Sequence, residues 1–307
     1  MTAPTGEPDA AEPGSVQARL IAHGLVLPAG HTLTTLTERP DLDAAVDAHH
    51  TGLWEPFMTE SEVASRMFPR AHADWPDHQL ALLDATGAVV ATSNAMPLAW
   101  DGTDDDLPDS WDEQVLRSAA DVDAGRTPTT LGAMLIVVGR TVRGGGLSGV
   151  MLGAMKAAGR AAGYHSVIAC VRPTEKHRYP LTPIERYAAW TRPDGLPFDP
   201  WIRLHVRLGG RIVRAAPHSM RIRGTVADWE GWTGLSFPDS GPYVVPTATS
   251  PVLIDLDRDE GVYFDENVWI VHDQTCSAGR GPSSAGRFAI LDGAPVPVVR
   301  TARSPSR

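Results

Sequence analysis

The chain reads as an α/β (α+β) protein with a central mixed sheet flanked by helices and a β-rich C-terminal extension. Three observations predict this class. Helical and strand periodicities alternate between residues 41 and 213. The run Thr129–Val138 is almost uninterruptedly apolar, the pattern of a central strand buried on both faces. That run passes through the glycine cluster Gly144-Gly145-Gly146 into an amphipathic helix.

Each element has its own signal. Asp41 to Trp54 reads as a helix, because Leu42, Ala45, Val46, His49 and Leu53 share a face. His78–Leu83 and Ala88–Pro97 read as strands joined by the turn Asp84-Ala85-Thr86-Gly87. An acidic loop and a helix near Trp111 to Ala124 precede the long apolar strand. In the helix Leu147–Ala162, Leu147, Met151, Ala154, Met155, Ala158 and Ala162 form one stripe, and Gly163 closes it. Ser166–Val171 is the next buried strand, followed by an irregular, proline-rich insertion at 172–198. Asp199-Pro200 opens another helix as N-cap and first residue, with Trp201, Leu204, His205 and Leu208 on its buried face. Gly209-Gly210 ends that helix, and Arg211–Val213 starts a strand. The expected organisation is a disordered tail at 1–15, a core at 16–218, a β-rich extension at 219–273 packed on the core, and a disordered tail at 274–307.

Composition narrows the function. The 307 residues are 42% hydrophobic and 21% charged, as in soluble globular proteins. A net charge of -10 argues against general nucleic-acid binding. No apolar run reaches the roughly 18–20 residues that span a bilayer, so no membrane partner is expected. The start of the chain is acidic and proline-rich rather than basic and apolar, which predicts a cytoplasmic protein. The two cysteines, Cys170 in a strand and Cys276 in the tail, form neither a metal-ligand spacing nor a disulfide framework. Charge is uneven. Residues 101–123 are acidic, while Arg203, Arg207, Arg211, Arg214, Arg221 and Arg223 make a basic run. That run is either a solvated face or a dock for an anionic cofactor tail or an acidic protein.

The glycine cluster carries the chemistry. A helix that starts on glycines exposes unpaired N–H groups at the positive end of its dipole, and no side chain stands in the way of a phosphate. Arg143 adds a positive charge beside them. Gly144-Gly145-Gly146-Leu147-Ser148-Gly149 satisfies the dinucleotide pattern G-x-G-x-x-G. Against a nicotinamide cofactor, five residues (139–143) separate strand from glycine, and Arg172 stands where a ribose-binding acid belongs.

The segment Val138-Gly139-Arg140-Thr141-Val142-Arg143-Gly144-Gly145-Gly146-Leu147-Ser148 resembles the pyrophosphate-binding motif of the GNAT superfamily of acyltransferases. Arg143, Gly144 and Gly146 match that motif, Ser148 stands for its small last residue, and Arg140 replaces its usual proline. Trp201-Ile202-Arg203-Leu204-His205-Val206-Arg207-Leu208-Gly209-Gly210 resembles the family's late helix, and the similarity covers roughly residues 31–215. The resemblance implies a GNAT-type sheet whose two parallel strands splay apart. Acyl-CoA, acetyl-CoA above all, would lie in that gap, held by Ile136, Val137, Val138, Arg143, Gly144, Gly145, Gly146, Leu147, Ser148 and Gly149. A backbone N–H near Val137 would meet the developing oxyanion.

The implied reaction is direct attack of a small-molecule amine on the thioester. His205 aligns with the tyrosine that many members use as proton donor, and it reads equally as a core histidine. The central strand lacks the glutamate that many members use as base. Tyr179 and Glu185 in the insertion are therefore candidate catalytic residues, with Arg172, Lys176 and Tyr187 as candidate substrate-binding ones. Two further readings stay open: an acyl-phosphopantetheine donor on an acidic carrier protein, which the basic run motivates, and a non-catalytic acyl-CoA-binding module.

Overall fold

The computed structural model of the chain describes residues 12–274. In order they form α1 (Val16–Ala22), β1 (Thr32–Thr35), α2 (Asp43–His50), α3 (Glu62–Asp74), β2 (Gln79–Leu83), β3 (Val89–Leu98), α4 (Trp111–Asp123), β4 (Thr130–Val138), α5 (Leu147–Ala161) and β5 (Ser166–Val171). There follow α6 (Ile184–Ala188), α7 (Pro200–Arg207), β6 (Arg211–Gly224), α8 (Val226–Thr233), β7 (Gly241–Tyr243), β8 (Val252–Asp255) and β9 (Glu260–Asp273). Five elements were not predicted: α1, β1, α3, α6 in the stretch read as irregular, and α8 in the stretch read as β-rich. In α3 the interior Pro69 interrupts the helical pattern. Of the expected tail at 1–15, residues 12–15 are described, and Ser15 Oγ caps α1 by accepting from Ala18 N at 3.2 Å. Cys276 and the rest of the expected C-terminal tail beyond Gln274 lie outside the described residues.

The strands join one sheet in the order β1-β2-β3-β4-β5-β9-β8-β7, with β6 on the other side of β9. Among the described strands only β4 and β5 pair in parallel. Strand β9 organises the second half. Its residues Val268–Asp273 pair with β5, Glu260–Val262 pair with β8, and β6 runs along its opposite side. This corrects the expected boundary at 218. Strand β6 passes straight through it, and β9 is a central strand of the core sheet rather than part of an added extension. What lies between them, residues 225–259, is the true insertion.

Helices cover both faces. On one face, α1 and α5 bury Leu20, Leu147, Met151 and Ala154 against Leu80, Leu82 and Ala91. Helix α6 and helix α7 extend that layer over Ala169, Val171, Val268 and Ile270. On the other face, α3 and α4 set Met67, Ala71, Trp111 and Val115 against Met96, Leu98, Ile168, Cys170 and Trp269. A third cluster, centred on Trp229, Tyr263 and Phe57, ties residues 225–259 to β9. Trp229 leaves no space beside Gly261, where an added Cβ would lie 2.1 Å from the indole Cδ1. Gly261→Ala is therefore expected to cost about 1–3 kcal/mol through overpacking, measured as a lowered midpoint in urea.

Candidate active site

Strands β4 and β5 are paired over four residues, from Thr130–Ser166 to Ala133–Ala169, and then part. Beyond that point β4 continues as Met134–Val138 with no strand beside it on this edge, while β5 follows β9. A bulge marks the parting: β3 pairs Ala95 with Ala133 and Asn94 with Leu135, leaving Met134 without a register partner. Burial changes at the same place. Thr130, Leu131 and Gly132 are buried, whereas Leu135, Ile136 and Val138 are only half-buried. An open strand edge of this kind accepts an extended ligand as an extra strand.

The gap leads to the glycine loop. Gly144 and Gly146 have φ of 87° and 79°, a region that side-chain-bearing residues rarely adopt. Gly146 is the N-cap of α5 and has no side-chain capping bond. Among the described residues no protein group accepts from the amides of residues 143–148, and the first amide of this region with a partner is Gly149 N, bonded to Gly146 O at 2.9 Å. No neighbouring atom lies within 4 Å of where a Cβ would stand on Gly144 or Gly146. The loop is thus an exposed set of donors at a helix N-terminus, and it suits a pyrophosphate. Arg143 is exposed, its Nε 3.3 Å from Val138 O, so its charge stands at the end of the open strand.

On the face of the sheet opposite α5, side chains of α4 line the parting point. Trp111 Nε1 donates to Met134 O at 3.1 Å, and Gln114 Nε2 to Ala133 O at 3.1 Å. These two carbonyls flank the parting point, and side chains from α4 satisfy both. Trp111 N donates to Ser219 Oγ at 3.2 Å, and Ser219 Oγ lies 3.1 Å from Cys170 Sγ and 2.9 Å from the Asn267 side-chain amide. A second bulge, between Ala216 and Met220 of β6, turns Ser219 inward. Burial pushes the Cys170 thiol up to about 12, so it is no thiolate nucleophile at neutral pH. On the same face His50 Nε2 meets Thr92 Oγ1 at 2.7 Å, and His72 joins Asp43 to Asn94.

A curated protein matches the chain along most of its length. The arginine N-acetyltransferase avaD of Aspergillus versicolor is 31% identical over 281 residues, covering 81% of this chain and 96% of that protein. The chain belongs to the GNAT superfamily. It is an acyl-CoA-dependent N-acyltransferase. No protein-family model matches it. Solved structures similar to this GNAT chain include the loading GNATL domain of CurA from Lyngbya majuscula (TM-score 0.49, 15% identity, 79% of this chain and 97% of that one). They also include a polyamine N-acetyltransferase of Drosophila melanogaster (TM-score 0.40, 15% identity, 80% of this chain and 100% of that one).

The structure separates the candidate residues of this GNAT chain into two groups. Residues 136–138 and 143–149 come together as the open strand edge and its loop. The others do not converge. His205 lies at the far end of β5 from the gap: its Nδ1 is 3.0 Å from Nε2 of His272, which pairs with Val167. It is buried, packed edge-on against Trp201, and burial lowers it to about 3. A neutral, enclosed imidazole there is a core histidine and does not reach a thiolate in the gap. Tyr187 is buried and donates to Asp199 Oδ2 at 2.9 Å, which fixes the start of α7. Tyr179 stacks in an aromatic cluster with Tyr187, Trp190 and Phe198, and Glu185 is exposed on α6.

Arg172 and Lys176 are engaged inside the protein. Arg172 pairs with buried Asp265 at 2.9 Å and donates to Thr247 O. Lys176 is fully enclosed, 2.6 Å from Glu266 and donating to Thr249 O. Both pin the 172–198 insertion to β9, so neither stands free to bind a substrate. Half of the basic run is paired as well: Arg211 with Asp104, Arg214 with Asp109 and Arg223 with Glu260, while Arg203 donates to two backbone carbonyls. Sequence reasoning missed Trp111, Asp112, Ser219 and Asp265. Their signal was faint: a capped helix start, Ser110-Trp111-Asp112, inside a stretch that otherwise reads as a solvated acidic loop.

Burial also lowers His272, to about 4, so the His205–His272 pair is neutral in the folded chain. The unfolded chain takes up these protons near pH 6.5, so folded stability falls as pH drops below 6.5 toward 4. Each such histidine contributes a slope of up to about 1.4 kcal/mol per pH unit. His205→Gln is expected to flatten that slope in acid denaturation.

Proposed function

We propose that this chain acetylates a small cationic amine, arginine or a close analogue, with free acetyl-CoA as the donor. The parting of β4 from β5 in line with the glycine loop carries this reading. It supplies a phosphate seat at one end and an open strand edge at the other, and none of the described residues pairs with either. Similarity to the arginine N-acetyltransferase of Aspergillus versicolor supports the acceptor. So does a cleft of about 550 Å³ between α2 and α3, lined by Asp43, Asp47, Phe68 and His72, where a guanidinium would find carboxylates. His72 connects that cleft to the gap through Asn94, whose register partner on β4 is Leu135.

In this mechanism the chain does three things. The amides of 143–148 and the charge of Arg143 hold the pyrophosphate. The unpaired edge of Leu135–Val138 aligns the pantetheine arm as an added strand, and a backbone N–H near Val137 faces the carbonyl oxygen as charge develops on it. The face covered by α3 and α4 admits the amine from the side opposite α5. The nitrogen lone pair attacks the thioester carbon, the C–S bond breaks, and the thiolate leaves protonated. No covalent enzyme intermediate is needed, in keeping with the protonated, buried Cys170. Internal pairing of Arg211, Arg214 and Arg223 reduces the charge that would attract an acidic carrier protein, which favours the free CoA thioester.

Incubation with acetyl-CoA and L-arginine should release free thiol and form a mono-acetylated product visible by mass spectrometry. Thiol release with other amines only would redirect the acceptor, and binding without turnover of any amine would favour a non-catalytic module. Gly146→Glu places a side chain and a negative charge in the phosphate seat. It is expected to weaken acetyl-CoA binding at least tenfold in calorimetry, about 1.4 kcal/mol. Asp47→Asn should raise KM for arginine several-fold with little change in kcat if the cleft seats the guanidinium.

A further inference from the structure

We propose that Trp111 is a positioning residue: by taking the Met134 carbonyl out of the strand ladder, it aims the amides of Ile136 and Val138 at the arm of the acyl donor. This rests on the acetyl-transfer reading above and names what sets its geometry. Trp111 acts through the backbone of β4 and has no need to touch substrate. Its indole Nε1 donates to Met134 O at 3.1 Å, at the parting point itself, and both residues are buried. Its own backbone N–H donates to Ser219 Oγ at 3.2 Å, and Ser219 Oγ lies 3.1 Å from Cys170 Sγ of β5. One residue of α4 is thus tied to both strands where they separate.

The pairing with β3 tells which groups of β4 reach the open edge. In an antiparallel pair, residues that exchange both backbone bonds alternate with residues whose groups point away. Gly139 N donates to Val90 O at 3.0 Å, so that position is of the bonded kind. Counting back along the register, Thr92–Val137 and Asn94–Leu135 are bonded pairs, whereas Ala91–Val138 and Ser93–Ile136 face away from each other. The amides on the open edge are therefore those of Ile136 and Val138. Arg143 marks the same side, since its Nε reaches Val138 O. Ile136 N–H, next to Val137, lies nearer the parting point and meets the thioester carbonyl, and Val138 N–H bonds the arm behind it.

Met134 sets this arrangement. It is the extra residue of the bulge, outside both ladders. Its side chain packs on the α4 face together with that of Leu135, while Ile136 and Val138 turn to α5. The next position of the parallel ladder would bring Met134 opposite Cys170. A buried carbonyl needs a donor, and without the indole it is left to find one across the gap. The bend then relaxes, β4 leans toward β5, and the Ile136 amide loses its direction. A shift of about 1 Å at such a point is enough to cost about 100-fold in rate.

The test compares wild type, Trp111→Phe and Gly261→Ala, using acetyl-CoA and the best amine of the panel, starting with L-arginine. Trp111→Phe keeps an aromatic ring and loses the donor. It is expected to lose about tenfold or more in kcat and about fivefold or more in acetyl-CoA affinity. Its affinity for the nucleotide diphosphate half of CoA, which has no arm, should stay within about twofold, because the glycine loop is untouched. Gly261→Ala is destabilised elsewhere and should keep both affinities and kcat, which separates a loss of alignment from a loss of stability. Amide hydrogen exchange on wild type needs no variant to fold. Acetyl-CoA should slow exchange at Ile136 and Val138 about tenfold or more, and the armless half should not. The proposal is overturned if folded Trp111→Phe keeps kcat and acetyl-CoA affinity within about threefold of wild type, or if Gly261→Ala loses as much. It is equally overturned if bound acetyl-CoA leaves exchange at Ile136 and Val138 unchanged. Failure of wild type to bind acetyl-CoA would instead sink the acetyl-transfer reading itself.

Discussion

The parting of β4 from β5 after Ala133 and Ala169 is the constraint on which the rest of the molecule depends. Two neighbouring parallel strands gain by pairing to their ends, so something must hold them apart. On the β4 side it is the bulge at Met134, together with the capture of the Ala133 and Met134 carbonyls by Gln114 and Trp111. On the β5 side it is β9, which takes the other edge of Cys170 and Val171 and draws the strand away. Helix α4 and strand β9 thus keep open the space between them. Each backbone carbonyl that loses a strand partner on the α4 face acquires a side-chain donor instead.

The two faces of the sheet divide the work. On the α5 face the donors are backbone amides, exposed and unpaired, with no acidic side chain in the first turn to compete for them. On the α4 face the polar groups form two sets: Ser219 joins the Trp111 backbone N–H to the Asn267 side-chain amide, and Arg172 pairs with Asp265. The insertion at 172–198 looks in sequence like a substrate loop, and it spends its charges on β9. Pinning that loop shapes the C-terminal end of β5 and leaves the loop's cations with internal carboxylate partners.

The glycine loop ahead of α5 was legible because glycines have few other reasons to cluster between a strand and a helix. Ser166–Val171 was legible as an apolar run bounded by a capped helix and a proline-rich stretch. His205 shows where helical periodicity stops being enough. Spacing places it on the buried face of α7, but only the return of β9, with His272, reveals which buried neighbour it meets. Strand β9 was hidden for a related reason. Its first half alternates buried and half-buried residues like an outer strand, and its second half is continuously buried, so the run straddles two patterns. The α4 face was invisible because its contacts join residues about a hundred positions apart, such as Trp111 with Ser219.

The place of β9 in the sheet bears on how the chain acquires its structure. Among the described strands it is made last, yet it lies between β5 and β6 and bonds to both. Until roughly 270 residues have left the ribosome, β5 and β6 present bare, apolar edges with nothing to join them. Contacts of such long sequence separation form slowly, because loop closure must precede any gain from pairing. The nascent polypeptide therefore carries an incomplete sheet through most of its synthesis, and the parting of β4 from β5 is held only after β9 threads into place.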